Sequence, residues 1–409
     1  MKALFIQHSG WITGSAISMV QLVQALDLKG FKSKVVFSAD GPMVKVANEM
    51  GLDARVVNMK SVFFYGSHVP FTIRNFLPFI VDYRRTVAAI EDIVTQERPD
   101  LVHLNTSVLV PAATQIKKMN VPIVWHVREG VGPNHMLRNW QINRIESLAT
   151  HIVANSHYVA RDYSGATPVS VIHNAIDKNF FSPMSEDARI QTRADLGLAK
   201  DEPVVGMIGA VSAVKGHYFL VDAATQVAKA IPNVRFLIVA GGVGDAYSRS
   251  LKGRIKRLGR MPLDNLERMK KLIQERGLTE HFVFSGFRRD IPQMISAMDV
   301  LAFPSLLPEG FGRPLIEAMA MACPMVSTDI GPTREVVGEG TAELVHPGDV
   351  EGLGAALIKL LTDCSLAEEM GRAGRARFLE NFEMENMVSR VIDVYSKVVP
   401  VSEFRERDR

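Results

Sequence analysis

Two glutamates, Glu309 and Glu317, stand either side of the residues GFGRPLI in the segment DVLAFPSLLPEGFGRPLIEAMAMACPMVSTD, residues 299–329. An apolar run, Val300–Phe303, ends at Pro304, and a loop with Pro308, Gly310 and Gly312 follows. Pro314 suits the first turn of a helix, where its missing N–H costs nothing. The spacing predicts a helix through Ala322 that Pro324 stops. Glycine lets backbone come close to a ligand, and the unpaired N–H groups of a first helical turn favour an anion. Glu309 ahead of that helix and Glu317 about one turn into it can accept hydrogen bonds from hydroxyl groups, such as a sugar or ribose carries. Taken singly, each is equally a solvated loop charge or a carboxylate facing the helix dipole.

Further chemistry-bearing residues lie elsewhere in the chain. Lys215 precedes Gly216 and offers a cation to a phosphate; alone it is an ordinary loop charge. His126 ends the apolar run Val121–His126, a place where histidine usually makes a structural hydrogen bond. Arg128 and Glu129 follow it, and Asn105-Thr106 ends the run before. Gly14 stands between the first apolar run and a helical stretch, where an α/β fold places a ligand loop. Metal-ligand spacings of the CxxC or HExxH type are absent, as is any Asp-x-Asp pair, so no metal is expected. Gly242-Val243-Gly244 is followed at the third glycine position by Tyr247, which removes support for a dinucleotide fingerprint.

These residues sit on short apolar runs alternating with amphipathic stretches. The first series of runs is Ala3–Gln7, Lys34–Phe37, Leu101–Leu104, Ile123–His126 and His151–Ala154. Between the first two, Ile17, Val20, Leu22, Val23 and Leu26 recur at helical spacing. The second series is Val204–Ile208, Phe236–Ala240, Phe282–Ser285, Val300–Phe303 and Met325–Ser327, with helices at about 218–230, 265–277, 291–297, 313–322 and 352–361. Strand, helix, strand at this period makes right-handed βαβ units in parallel sheets. The expectation is an α/β chain of two doubly wound, Rossmann-like domains: 1–177, a linker with a helix at 178–203, 204–382, and a helix and tail at 383–409.

The chain has 409 residues, 47% hydrophobic and 22% charged, with a formal net charge of +3. That composition is globular, and the charge selects neither nucleic acid nor any other partner. Cys323 and Cys364 suit free thiols in a reducing compartment. No run approaches the roughly 20 apolar residues of a membrane span, and the first apolar run is too short for a signal peptide. A cytoplasmic protein is expected, with attachment to the membrane surface left open.

The Glu-x7-Glu element E-G-F-G-R-P-L-I-E resembles the donor-site signature of the retaining GT-B glycosyltransferases of family four. So do its flanks: Pro304-Ser305 before it, and Val326-Ser327-Thr328-Asp329-Ile330-Gly331-Pro332 with Glu335 after it. Upstream, Phe284-Ser285-Gly286-Phe287 with Asp290 is similar to the family's loop near the base. Val239-Ala240-Gly241-Gly242 and Lys215-Gly216 are similar to its phosphate-side elements, and His173-Asn174-Ala175-Ile176-Asp177 to the end of its first domain. The resemblance implies two domains facing a cleft, with the last helix crossing back to the first. It also implies transfer of a sugar from a nucleotide diphosphate sugar, such as a UDP- or GDP-sugar, to a glycan or lipid-linked acceptor. Anomeric configuration would be retained, and no cofactor used. Glu317 would bind ribose hydroxyls and Glu309 the transferred sugar. Backbone N–H groups of Phe311, Gly312, Arg313 and Leu315, with Gly14 across the cleft, would hold sugar and diphosphate. Phe287 and Arg288 would lie near the donor, Lys215 would neutralise the leaving diphosphate, and His126 would touch the sugar. Arg128, Glu129 and Asn105 would shape the acceptor side.

One position departs from the family. It commonly has Arg five residues before the lysine, where this chain has Ala210; Arg288, Arg289 or a basic residue of 249–271 are the candidate replacements. An epimerase on the same architecture, or a silent nucleotide-sugar-binding protein, remains the alternative. Two stretches bear on partners. Ser61–Arg85 carries seven aromatic residues with Arg74, Arg84 and Arg85, either a core-packing helix or a contact for lipid. Arg249–Lys271 carries nine basic residues, either a solvated face or a contact for anionic headgroups or an anionic substrate.

Overall fold

The computed structural model describes residues 1–59, 73–130, 135–240 and 265–399. The chain divides into two compact units, Met1–Ile176 with Phe382–Arg409, and Asp177–Asn381. Among the described residues of the first unit, seven strands form one parallel sheet. They are β1 (Lys2–Gln7), β2 (Lys32–Phe37), β3 (Ala54–Val56), β4 (Leu101–Asn105), β5 (Ile123–Val127), β6 (His151–Ala154) and β7 (Val169–Val171), in the order β3-β2-β1-β4-β5-β6-β7. The strands are nearly continuous apolar runs because helices cover both faces. In β1, Ala3 and Phe5 pack on the helices Gly14–Leu28 and Met384–Val398, whereas Leu4 and Ile6 pack on the far side with Ile90, Ile93 and Val94. This is the period-two alternation of a strand. The C-terminal helix thus belongs to the first unit's core, through Met387, Val388, Val391, Val394 and Tyr395.

The second unit repeats the plan with β8 (Val204–Ile208), β9 (Arg235–Val239), β10 (Phe282–Phe284), β11 (Val300–Phe303), β12 (Met325–Thr328) and β13 (Glu343–Val345), ordered β10-β9-β8-β11-β12-β13. In both sheets the chain winds outward one way from the first strand and then returns to its other side. The direction reverses between β1 and β4, and between β8 and β11. Such a switch point leaves a crevice beyond the strands' carboxyl ends, where ligands bind in α/β sheets.

Residues 178–203, expected as a linker, are part of the second unit. Their helix, Glu186–Asp195, is capped by Ser185 and faces Asp299 at the foot of β11. Arg189 and Arg193 both pair with that carboxylate, and the Val204 N–H donates to it at 2.7 Å. The carboxylate therefore pins the helix to the starts of two adjacent strands. Three short strands, β3, β7 and β13, were not expected. Most of the basic stretch 249–271 lies outside the described residues; its last part begins the helix Asn265–Glu275, where Arg268, Lys270 and Lys271 are exposed and Met269 is buried. Residues 61–72 also lie outside, and the helix Ile73–Glu97 follows, with Arg84 and Arg85 exposed. Among the described residues, no helix is long and apolar enough to cross a membrane.

Candidate active site

The switch point of the second unit brings together two of the glutamate-segment residues and the lysine. Beyond β11, Ser305 and Glu309 form a loop that opposes the loop beyond β8. There Lys215 Nζ lies 3.1 and 3.0 Å from the two oxygens of Glu309. Ser305 Oγ donates to Glu309 Oε1 at 2.6 Å, and Thr328 Oγ1 in turn donates to the Ser305 carbonyl at 2.6 Å. The carboxylate is thus aimed by a hydroxyl, which is itself fixed through its backbone by β12.

Gly216 makes the lysine's position attainable. It is left-handed, at φ +80°, and a Cβ there would lie 1.8 Å from the carbonyl oxygen of Pro304. Only glycine allows the two loops to approach this closely. Lys215 is held from its own side as well, its N–H donating to Ser212 Oγ at 3.2 Å. Ala210, where the family has arginine, is exposed.

The helix after the glutamate loop runs Arg313–Ala320, with Gly312 as its left-handed N-cap at φ +88° and Pro314 in the first turn. A Cβ on Gly312 would meet Leu315 at 2.9 Å and the Phe303 ring at 3.2 Å. Phe311 is buried. Leu315 departs from expectation: its N–H donates to the Gly312 carbonyl at 3.0 Å and its side chain is fully buried. That N–H is consumed by the turn and is not a ligand donor in this conformation. Glu317 is buried and accepts from Arg313 Nε at 2.6 Å, an i,i+4 pair on one helix face. Burial pushes the Glu317 carboxyl up, while Arg313 opposes that shift. From below, Arg375 donates to the Ala320 carbonyl and fixes the end of this helix.

Phe287 and Arg288 sit on the loop after β10, with the Phe287 ring half exposed. Arg288 is paired with Asp290 through both carboxylate oxygens, which holds the Asp290 carboxyl below its ordinary value. In this conformation Asp290 engages its charge, so a diphosphate would have to compete for Arg288 as it would for Lys215 against Glu309.

The first unit gathers its own candidates at the carboxyl ends of β1, β4 and β5. Asn105 Oδ1 accepts from Arg128 Nε, and Asn105 Nδ2 donates to Gln7 Oε1 and, at 3.1 Å, to the Ser15 carbonyl. Arg128 also donates to Asn174. The Ser15 carbonyl lies one residue beyond Gly14, the first residue of a helix capped by Thr13. A Cβ at Gly14 would meet nothing within 4 Å, so the fold itself does not require glycine there. Glu129 accepts from both the N–H and the hydroxyl of Ser107 at 2.8 Å, and burial pushes its carboxyl up despite these bonds.

His126 is fully buried: its Nδ1 lies 3.3 Å from His103 Nε2 and 3.4 Å from Arg128 Nη2. Burial, then Arg128, then His103 hold it well below the usual histidine range, so it is neutral. Several participants were not singled out from sequence: His8, His103, Ser107 and Tyr395. Thr106, at φ +106°, is a β-branched residue in a region that strains it, and such residues collect at functional sites. Nothing local in the sequence marks His8, His103, Ser107 or Tyr395, since each is read as core until its partner is known, whereas Thr106 was singled out with Asn105.

The two units match two families of known proteins. Residues 188–377 match the glycosyl transferases group 1 model, and residues 12–180 the glycosyltransferase family 4 model. The chain belongs to this family of GT-B glycosyltransferases. It is 28% identical over 288 residues to the alpha-maltose-1-phosphate synthase of Mycolicibacterium smegmatis, covering 66% of this chain and 69% of that protein. It is 27% identical over 269 residues to the 2-deoxystreptamine glucosyltransferase of Streptomyces kanamyceticus, and 28% over 281 to a D-inositol 3-phosphate glycosyltransferase of Mycobacterium bovis. The matches span 63% and 53% of those two proteins' own lengths. Among solved structures, the Anabaena HepE protein in complex with UDP-glucose superposes with a TM-score of 0.80 at 23% identity, covering 97% of this chain and 100% of that one. Sucrose-phosphate synthase of Thermosynechococcus elongatus gives 0.72 at 21% identity, over 97% and 98%. At these identities the likeness is one of fold.

Proposed function

We propose that this glycosyltransferase moves a hexosyl group from a nucleotide diphosphate sugar to a glycan or lipid-linked acceptor, with retention of configuration. The observation that carries the donor half is the Lys215–Glu309–Ser305 cluster at the switch point, set against the Gly312-capped helix that carries Glu317. A cation and helix N–H groups suit a diphosphate, and two carboxylates suit the hydroxyls of ribose and sugar. In the transfer, Lys215 offsets the negative charge that grows on the leaving diphosphate as the glycosidic bond breaks. That role is one a divalent cation fills in metal-dependent enzymes, and the reaction as proposed needs neither metal nor cofactor.

A uridine nucleotide is the first donor to try, because the HepE structures hold UDP and UDP-glucose. Retention rests on family membership. For the acceptor, Trp11 after β1 and Trp140 on the helix His135–Leu148 of the first unit are about half exposed, and exposed aromatic rings are surfaces on which sugar rings stack. Surface polysaccharide or glycolipid synthesis on the cytoplasmic face of the membrane is the setting proposed.

Release of nucleoside diphosphate from UDP- and GDP-sugars, with and without oligosaccharide acceptors, tests this directly. An acceptor-dependent release with an α-linked product from an α-linked donor is expected. Interconversion of the donor sugar without release would make the protein an epimerase, and tight nucleotide binding without either reaction would make it a binding protein.

A further inference from the structure

We infer that Tyr395 of the C-terminal helix and His103 of β4 are positioning residues that fix His126 as a hydrogen-bond donor through Nε2. The inference rests on the proposed transferase role of His126 for its functional consequence, but not for its geometry. A guanidinium has donors only. With Arg128 Nη2 at 3.4 Å, a proton on His126 Nδ1 would face a guanidinium donor, which favours Nδ1 as the bare nitrogen. A neutral imidazole carries one proton, so that proton is on Nε2.

The polarity then propagates outward. His103 Nε2 lies 3.3 Å from the same bare nitrogen and must bring the hydrogen to it. His103 Nδ1 is therefore bare, and the Tyr395 hydroxyl, 2.7 Å away, donates to it. Stacking of the His103 ring on Phe5, with centroids 4.7 Å apart, holds the ring in line. The reverse polarity would keep both ring bonds, His126 Nδ1–H to His103 Nε2 and His103 Nδ1–H to the Tyr395 oxygen, but would set the His126 Nδ1–H against the guanidinium N–H groups of Arg128. Burial and the Arg128 charge keep both rings from taking a second proton, which would break the chain.

The end of the relay is His126 Nε2–H, a buried donor with no partner among the described residues. A buried N–H left without an acceptor costs about 1–3 kcal/mol, and in the proposed reaction a sugar oxygen supplies that acceptor. His126 is thereby a donor to a sugar oxygen and not a general base, since its only lone pair is already engaged by Arg128 and His103. The C-terminal helix contributes to the reaction from behind the sheet, through a hydroxyl that touches no substrate.

The test uses full-length protein carrying 15N-labelled histidine, with His126 assigned by the signal lost in His126→Gln. In the wild type, Nδ1 is expected to resonate as a bare nitrogen and Nε2 as a protonated one, unchanged from about pH 5 to 8. Tyr395→Phe removes the hydroxyl that holds His103 Nδ1 bare and leaves only the 3.4 Å Arg128 contact against the reversed chain, so mixed tautomers at His126 and a fall in kcat of about five- to tenfold are expected. Nucleoside diphosphate affinity, which involves no sugar oxygen, should stay within twofold. A wild-type His126 with its proton on Nδ1 overturns the inference, and that measurement stands even if the variant fails to fold. A Tyr395→Phe protein with unaltered tautomer and kcat overturns it too. Correct tautomers with no transfer from any donor would sink the transferase reading alone.

Discussion

Replacing Lys215 by methionine separates binding chemistry from fold stability at the candidate donor site. The ion pair with Glu309 is partly solvated, with side chains 32% and 24% exposed, so it contributes about 0–1 kcal/mol to stability. Methionine keeps the stem that packs between the loops, and the unfolding midpoint should barely move. Binding is different, because a lysine on a diphosphate makes charge-assisted hydrogen bonds worth about 1.5–3 kcal/mol. Nucleoside diphosphate affinity should fall about 10- to 150-fold, while the bare nucleoside, which lacks the phosphates, should bind as before. Calorimetric titration of uridine and UDP against both proteins reads the two effects separately. Glu309→Gln sharpens the test. In the free protein the carboxylate holds Lys215 at 3.0 and 3.1 Å, and a diphosphate must compete with it. Removing that charge while keeping the Ser305 bond should tighten UDP a few-fold and still lower turnover. Equal losses for uridine and UDP, or a Lys215→Met affinity within threefold of wild type, would refute the assignment of Lys215 to the phosphates.

Three further outcomes are expected. Gly216→Ala should cost about 2–5 kcal/mol, combining the left-handed backbone penalty with the clash against Pro304, and denaturant unfolding will show a loss below 1 kcal/mol if the two loops are not this close. Glu317→Gln should erase preference for UDP over its 2′-deoxy analogue, provided the buried carboxylate reads the ribose; an intact preference in paired titrations removes Glu317 from that role. Acid should destabilise the protein through neutral buried histidines: burial lowers His8 and His217 to about 4 and His103 to about 3 from 6.5. The unfolded chain then binds protons that the fold refuses. The stability is complete above about pH 6.5 and declines as pH falls toward 4, by about 1.4 kcal/mol per pH unit for each histidine. Urea midpoints that do not fall between pH 7 and 5 would contradict the buried, neutral state.

The alternation of apolar runs and amphipathic stretches determined the doubly wound plan, because strand and helix periods are local properties of the chain. The glutamate segment was legible for a similar reason: a proline, a glycine and two carboxylates at fixed spacing declare a loop that enters a helix. The short strands β3, β7 and β13, three residues each, are too brief for any period and exist because a neighbouring strand templates them. The helix at 186–195 was expected but its allegiance was not, since that depends on Arg189 and Arg193 meeting Asp299 about a hundred residues later.

What tertiary structure alone decided is which groups share a proton or a charge. Sequence places Lys215 and Glu309 on separate loops, 94 residues apart, and only the approach allowed by Gly216 makes them a pair. Sequence offers Leu315 as a backbone donor, and only the turn geometry shows its N–H already used. His103 and Tyr395, 292 residues apart, are each unremarkable core residues until the last helix returns to the first sheet. Hydrogen bonds act over about 3 Å, and no pattern along the chain encodes a separation that short between residues so far apart.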